Sequence, residues 1–569
     1  LPIPKVMSYQ LDAASGCELP GWSSVSFVRP AHGLLALHGA EVVPVRVLGL
    51  QAGNTTTGHR FEALASPVTI ADADSYASTM RTQGAVIASF AERRADIERQ
   101  LADAAAQVGN GVRAIEDPAL LDEVTALVER PNVLLCSFEK QYLDVPQECL
   151  ILTMKANQKY FPLLGAQGKL THQFLVVSNI SPADASAVIG GNERVVRPRL
   201  ADAQFFFDQD RKKTLESRVA GLGKVVYHNQ LGSQGERSER VRAIAKGILK
   251  LHGDKVFAVT QILSAQTDTA ARLAKTDLLT DMVGEFPELQ GTMGGYYARH
   301  DGLDETVAQA IEDHYKPRFA GDALPRNPVG LVVALADKLE TLVGMFGIGN
   351  LPTGDKDPFA LRRHALGVVR MLVEKDLPLD LPDLLQSTAK AFGERINKDA
   401  MPDLADFLYE RLTSMLREQG YSISEVDAVL ALRHQRLGDV AKRLDAVRAF
   451  AALPERAALA AANKRISNIL KKADDVDAHV SPLLLLEAAE QNLHSAMQTV
   501  LPLAEKHWLA GDYTASLQSL AQLREPVDAF FEDVMVNAEQ ADLRLNRLGL
   551  LKSLHAAMNR VADLSRLVG

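Results

Sequence analysis

Cysteine is scarce in this chain. Its 569 residues hold three, Cys17, Cys136 and Cys149, scattered and with no C-x-x-C spacing. No disulfide framework can be built from them, and they fit a reducing, cytoplasmic setting. Long apolar runs are absent: none reaches the length of a membrane span, and no signal-peptide pattern opens the chain. Basic excess is absent as well. The 62 Lys and Arg are outnumbered by 71 Asp and Glu, for a net charge of −9. Any nucleic-acid surface must therefore be a local patch. Catalytic signatures are missing too. There is no G-x-S-x-G elbow, and neither H-x-G-H nor K-M-S-K-S occurs. The first residue is Leu1 rather than Met, and "LPIPKVMSYQ" reads as mid-protein sequence, so an N-terminal segment is expected to be missing.

What is present is ample core. Apolar residues make up 47% of a chain long enough for about three or four domains. In the first third, "PVRVLGL", "NVLLCSF", "CLILTM" and "FLVVSNI" are short apolar runs bounded by turn residues, the pattern of strands. A helical segment from about residue 75 to 108 lies between them. From about residue 192 the pattern turns helical, with Leu200, Ala203 and Phe207 on one face, and no strong strand follows residue 230. The expected fold class is multidomain α+β, strand-rich first and all-α after. Two proline-containing turns in "EKDLPLDLPD" mark a boundary within the helical part.

The stretch "FGIGNLPTGDKDPFALRRHALG" lies close to a phosphate-binding loop, G-x-x-x-x-G-K-[ST]. It departs from that loop at the residues that matter. Asp355 separates Gly354 from Lys356, and Asp357 stands where the magnesium-binding hydroxyl belongs. The preceding "GLVVALADKLETLVGMF" has helical spacing, whereas a phosphate loop follows a buried strand. The expectation is a helix–loop–helix connection: Gly347 and Gly349 stop one helix and Asp357-Pro358 starts the next.

Upstream, "LAKTDLLTDMVGEF", "AIEDHYKP" and "ALADKLETL" follow the order of the HD superfamily, in which a helical bundle presents His, His-Asp and a distal Asp to a divalent metal. Asp337 falls at the distal position. The dyad would be Thr276-Asp277 or Thr280-Asp281, and in either case a Thr stands where the His belongs. A neutral hydroxyl does not replace imidazole as a ligand. His252, His300 and His314 are loose alternatives. The expectation is a degenerate site at Asp277, Asp281 and Asp337 without metal. An active metal-dependent phosphohydrolase is the alternative.

Near the C-terminus, "NKRISNILKKA" carries Lys464, Arg465, Lys471 and Lys472, and "DLRLNRLGLLKSLHAAMNR" carries Arg544, Arg547 and Lys552. Lys and Arg on such helices offer charge to phosphates, the main source of nucleic-acid affinity. These seven are the candidate RNA contacts. Phe530 and Phe531 are expected in the core.

Several long blocks together carry a resemblance. They are "SFVRPAHGLLALHG", "MKANQKYFPLL", "GNERVVRPRLADAQFFFDQDRK", "HNQLGSQGERSERV", "MGGYYARHDG", "HYKPRFAGDALP", "GIGNLPTGDKDPFALRRHALG" and "EPVDAFFEDVMVNAEQADLRLNRLGLL". In these blocks the chain resembles the β-subunit family of the bacterial heterotetrameric glycyl-tRNA synthetases, over essentially its whole length. The resemblance implies an α2β2 assembly whose α subunit makes glycyl-adenylate with ATP and Mg, while the β subunit binds and positions tRNA(Gly). It implies no cofactor on this chain and no catalytic residue of its own. It further implies an editing-like domain at 1–185, a helical linker at 186–240, a degenerate HD-like domain at 241–378 and an anticodon-binding domain at 379–569. A tRNA-binding scaffold acting without an α subunit remains a further alternative.

Overall fold

The computed structural model describes residues 5–11, 19, 21–252, 260–473 and 476–567, His252 by its backbone alone. Cys17 and the His252 side chain lie outside the described residues. The chain divides into two compact units, Leu1–Lys212 and Lys213–Gly569.

The first unit is built on a four-stranded antiparallel sheet. Its order is Asn132–Ser137, Leu170–Ser178, Phe161–Leu164 and Arg113–Ala114. The register of the long pair sets Asn132 opposite Ser178 and Cys136 opposite Phe174. Two helices pack into the core with this sheet, Phe90–Val108 and Pro118–Leu127. The first starts where the Ser89 side chain accepts a hydrogen bond from the Glu92 N–H, the second where Asp117 accepts from Leu120 and Pro118 takes the first turn. Ile97, Leu101, Leu121 and Val124 from the helices meet Phe161, Leu163 and Leu175 from the strands. Burying such side chains contributes roughly 1.5–3 kcal/mol each, which fixes the register of a sheet this small.

Two expected strands take other forms. The run "CLILTM" lies inside a helix, Gln147–Gln158, with Cys149, Leu150, Thr153 and Met154 buried on one side. A six-residue run with five apolar residues suits a buried helix face as well as a strand, and packing decides. "PVRVLGL" folds back on itself: Arg46–Val47 pairs with Leu50–Gln51 around Leu48 and Gly49, both at positive φ. The helical segment expected over 75–108 is two helices, Tyr76–Thr82 and Phe90–Val108.

Among its described residues the second unit is helical apart from a small hairpin, Val226–His228 with Gly232–Ser233. Its centre is the helix Pro328–Gly347, whose residues from Val329 to Gly347 are all buried. Gln234–His252, Gln261–Leu273, Glu305–Asp313, Leu361–Glu374, Leu381–Lys390 and Met401–Glu418 pack around it. That accounts for a helix apolar on every side. Residues 186–240 do not form one linker. The helix Ser186–Asp210 packs on Asn132–Ser137 within the first unit, and Gln234–His252 belongs to the bundle of the second. Past the expected boundary at residue 378, Leu381–Lys390 packs on the central helix, so the bundle runs on without a break. Toward the end of the unit, Arg456–Leu470 packs on Ala541–Met558, and Ala488–Leu509 on Tyr513–Ala521. Among the described residues no helix is long and apolar enough to cross a membrane.

Candidate RNA interface and a buried ionic cluster

The helix Arg456–Leu470 buries Leu459, Ala460, Ala462, Asn463 and Ile466. The helical repeat then leaves Lys464, Arg465 and Asn468 on the open side. They face a groove of about 720 Å³ whose other wall is the start of Ala541–Met558, with Arg544, Leu545 and Leu548. Lys472, just past the end of the first helix, also lines it. The Arg465 guanidinium lies 4.3 Å from the centre of the Phe531 ring, a cation–π contact. Phe531 is half-buried, and Phe530 is fully buried in the core. No carboxylate pairs with Lys464, Arg465, Lys472 or Arg544 among the described residues, so the groove is a local positive patch on an acidic chain.

Of the seven candidate contacts, these four share the groove. Lys471 and Lys552 line a neighbouring cleft of about 540 Å³ with His555. There the Lys552 ammonium donates to the Val476 carbonyl. Arg547 is a correction. It is buried, ion-paired with Glu490 and, at 3.0 Å, with Glu487, and it donates to the Met535 carbonyl at 2.7 Å. Its charge belongs to the core of the domain. Arg547→Ala would leave Glu490 buried and unpaired, and should reduce stability by about 3 kcal/mol. Chemical denaturation reads the loss. A variant as stable as wild type would refute the buried pair.

A second cluster sits under the central helix. Asp337 Oδ1 has the Arg237 guanidinium and the Lys275 ammonium each at 3.1 Å. One turn on, Glu340 takes Arg237 Nε at 3.0 Å and Arg240 Nε at 2.8 Å, and Arg237 also donates to Thr341 Oγ1 at 2.9 Å. The cations rest on rings: Arg237 on Tyr227, Lys275 on Tyr315 and Arg240 on Phe392. Lys338 donates to the Tyr315 carbonyl at 2.9 Å, and its stem crosses Gly367, where a Cβ would come within 2.8 Å of it. Burial alone would raise the Asp337 carboxyl; Arg237 and then Lys275 outweigh that and hold it well below the usual carboxylate range. Burial lowers Lys275 and Lys338 to about 8, with Asp337 opposing the shift in both. Burial likewise lowers His364 to about 3 and takes His314 well below its usual value, so both rings are neutral near pH 7.

Asp277 lies apart from that ion pairing. Its Oδ2 accepts the backbone N–H of Gly291 at 2.6 Å and of Gly294 at 3.1 Å. A Cβ at residue 294 would stand 2.8 Å from Ile311 and 3.0 Å from that oxygen, which accounts for the glycine. Thr276 and Thr280 spend their hydroxyls on the carbonyls of Leu273 and Asp277. Asp281 and His300 are exposed. This donor set does not fit a divalent ion, because cations already hold Asp337 and backbone amides hold Asp277. No group of three or more His, Cys, Asp or Glu among the described residues could hold one.

Burial raises the Asp277 carboxyl to about 6 from an ordinary 3.8, against the pull of the two amides. Between those values the folded chain keeps a proton that the unfolded chain has released. The contribution of this group to stability is therefore full below pH 3.8 and falls as pH rises through 6. Asp277→Asn keeps an oxygen for the amides and removes the titration. It should gain on wild type between acid and neutral pH, by up to about 3 kcal/mol. Parallel stability–pH curves for the two proteins would contradict this.

Lys275, Arg237 and Arg240 were not among the sequence candidates. The signal for Lys275 is a Lys that directly precedes the Thr276-Asp277 pair in "RLAKTDLL". For the two arginines it is the dense charge of "GERSER" at helical spacing.

The loop before Leu361–Glu374 is built as a connector. The helix begins three residues later than Pro358, behind Ala360 at φ 53, and the Asp357 carboxylate reaches forward to the N–H of Leu361 and Arg362 at 2.7 and 2.9 Å. Arg362 returns to the Gly354 carbonyl at 2.7 Å.

The family model "Glycyl-tRNA synthetase beta subunit" matches residues 1–431, and "DALR anticodon binding domain" matches 459–564. The second range contains all seven candidate contacts. Among curated relatives, the "Glycine--tRNA ligase beta subunit" of Polaromonas naphthalenivorans (strain CJ2) is 74% identical, covering 100% of this chain and 79% of the relative. The protein of the same description from Paracidovorax citrulli (strain AAC00-1) is also 74% identical, and that from Dechloromonas aromatica (strain RCB) 68%, with the same two coverages. A match over the whole of this chain at this identity, with an anticodon-binding domain where the basic groove lies, places the chain in the glycyl-tRNA synthetase beta subunit family.

Proposed function

We propose that this chain is the tRNA-binding subunit of a two-component glycyl-tRNA synthetase. It grips the anticodon arm of tRNA(Gly) in the groove of Lys464, Arg465, Lys472 and Arg544. An α subunit, in an α2β2 assembly in the cytoplasm, activates glycine with ATP and Mg. The observation that carries this reading is the coincidence of the groove with the matched anticodon-binding domain. The chain itself is read as holding no metal or cofactor, with its strand-rich first unit editing-like and the bundle around Pro328–Gly347 a degenerate HD-like scaffold. The cations on Asp337 disfavour a metal phosphohydrolase.

The test is reconstitution. The purified chain alone should show no glycine-dependent exchange of pyrophosphate into ATP, and should retain tRNA(Gly) on a filter. Adding the α subunit should produce glycyl-tRNA. Exchange by the chain alone would overturn the division of labour. Charging that is indifferent to this chain would overturn its role in positioning.

A further inference from the structure

The loop "PTGDKDPFALRRH" and the buried ionic cluster meet at one pocket. It has a volume of about 480 Å³, within the size range of small-molecule sites. The central helix supplies its floor through Asp337, Lys338 and Thr341, and a wall comes from Phe359 in the loop with Arg363 and His364 in the first turn of Leu361–Glu374. The cations divide into two sets. Arg237 and Lys275 are neutralised from within by Asp337 and Glu340. Arg318, Lys338 and Arg363 also line the pocket and have no ion-pair partner among the described residues. Among the described residues Lys338 donates to the Tyr315 carbonyl alone, and Arg318 reaches the Gln290 carbonyl at 3.3 Å. One further carboxylate, Glu288, lines the pocket and is exposed. Three unpaired cations against Glu288 leave the cavity positive.

One further observation points to a polar occupant. His364 Nδ1 is buried in the pocket wall and has no hydrogen-bond partner. Asp357 caps the following helix, Ala360 holds a left-handed backbone, and Arg362 ties the loop to Gly354, which sets the backbone path on either side of Phe359. Phe359 is half-buried and offers a ring beside the cations.

We propose that this pocket binds a nucleoside phosphate without a metal ion: Arg318, Lys338 and Arg363 hold the phosphate, and Phe359 packs against the base. Guanidinium groups suit phosphate because they offer paired donors, and an aromatic face accepts any base. The ligand is either a free mononucleotide or the terminal nucleotide of an RNA strand. This proposal does not depend on the RNA groove near the C-terminus.

The experiment is calorimetric titration of the full chain with AMP, adenosine and a trinucleotide RNA, for wild type and Arg363→Ala, with and without EDTA. Arg363 is exposed and free of ion pairs, so the variant should fold; circular dichroism checks it. AMP or the trinucleotide should bind with Kd below about 1 mM. Adenosine should bind at least tenfold more weakly, Arg363→Ala should lose roughly tenfold, and EDTA should change nothing. Tighter binding of the trinucleotide identifies an RNA end as the source, and tighter binding of AMP a free nucleotide. The proposal is overturned if neither binds, if adenosine matches AMP, if Arg363→Ala binds as wild type does, or if EDTA abolishes binding.

Discussion

Glu340→Ala should destabilise the second unit by about 5 kcal/mol, the largest single-residue effect expected in this chain. Glu340 is fully buried and takes both Arg237 and Arg240. Removing it strands the buried Arg240 guanidinium and takes one of two carboxylates from Arg237, and an unpaired buried charge is far more costly than a missing hydrogen bond. Arg237 retains Asp337, which must then also balance Lys275. Glu340→Gln keeps the shape and part of the hydrogen bonding, and should lose less. The two variants therefore separate charge from packing. Urea denaturation followed by circular dichroism measures both. Equal, small losses for Ala and Gln would mean that the arginines reach water and that the cluster is not closed.

The second large effect is on RNA affinity. Lys464 and Arg465 are adjacent, exposed and without carboxylate partners, at the mouth of the groove. Because the chain is acidic overall, RNA reaches it only where positive charge is concentrated. Removing the cation from one phosphate lowers the salt slope of binding by about 0.7–0.9. Lys464→Ala with Arg465→Ala should thus weaken tRNA binding by roughly tenfold or more and flatten its salt dependence by about one to two units. Folding should survive, since exposed substitutions shift stability by about 0.5 kcal/mol or less. Affinity across a salt series measures both quantities. A folded double variant with unchanged slope would remove this groove from the interface and direct attention to the Arg194–Arg199 segment.

Much of this was legible in the sequence because it rests on local spacing. The apolar face of Leu200, Ala203 and Phe207, the strand Asn132–Ser137 and the helix–loop–helix character of "GIGNLPTGDKDPF" follow from periodicity and turn chemistry. What was not legible depends on partners far along the chain. Arg544 and Arg547 sit three residues apart on one helix, and nothing local separates them. Glu490, 57 residues upstream of Arg547, draws that side chain into the core, while Arg544 stays in the groove. The same holds for Asp337. The absence of His from the dyad signals a changed site, but the replacement cations come from Arg237 and from Lys275, the residue just before Thr276. Cys149 to Met154 went the other way: five apolar residues and a Thr carry no period that tells a strand from a helix, and packing chose the helix.

The most direct test of the central claim is photocrosslinking of tRNA(Gly) carrying 4-thiouridine in its anticodon loop to this chain, with the crosslinked peptides identified by mass spectrometry. The account predicts crosslinks within the helices Arg456–Leu470 and Ala541–Met558, at or beside Lys464, Arg465 and Arg544, and their loss in the Lys464→Ala, Arg465→Ala variant. Crosslinks confined to the first unit, and unchanged in that variant, would contradict it.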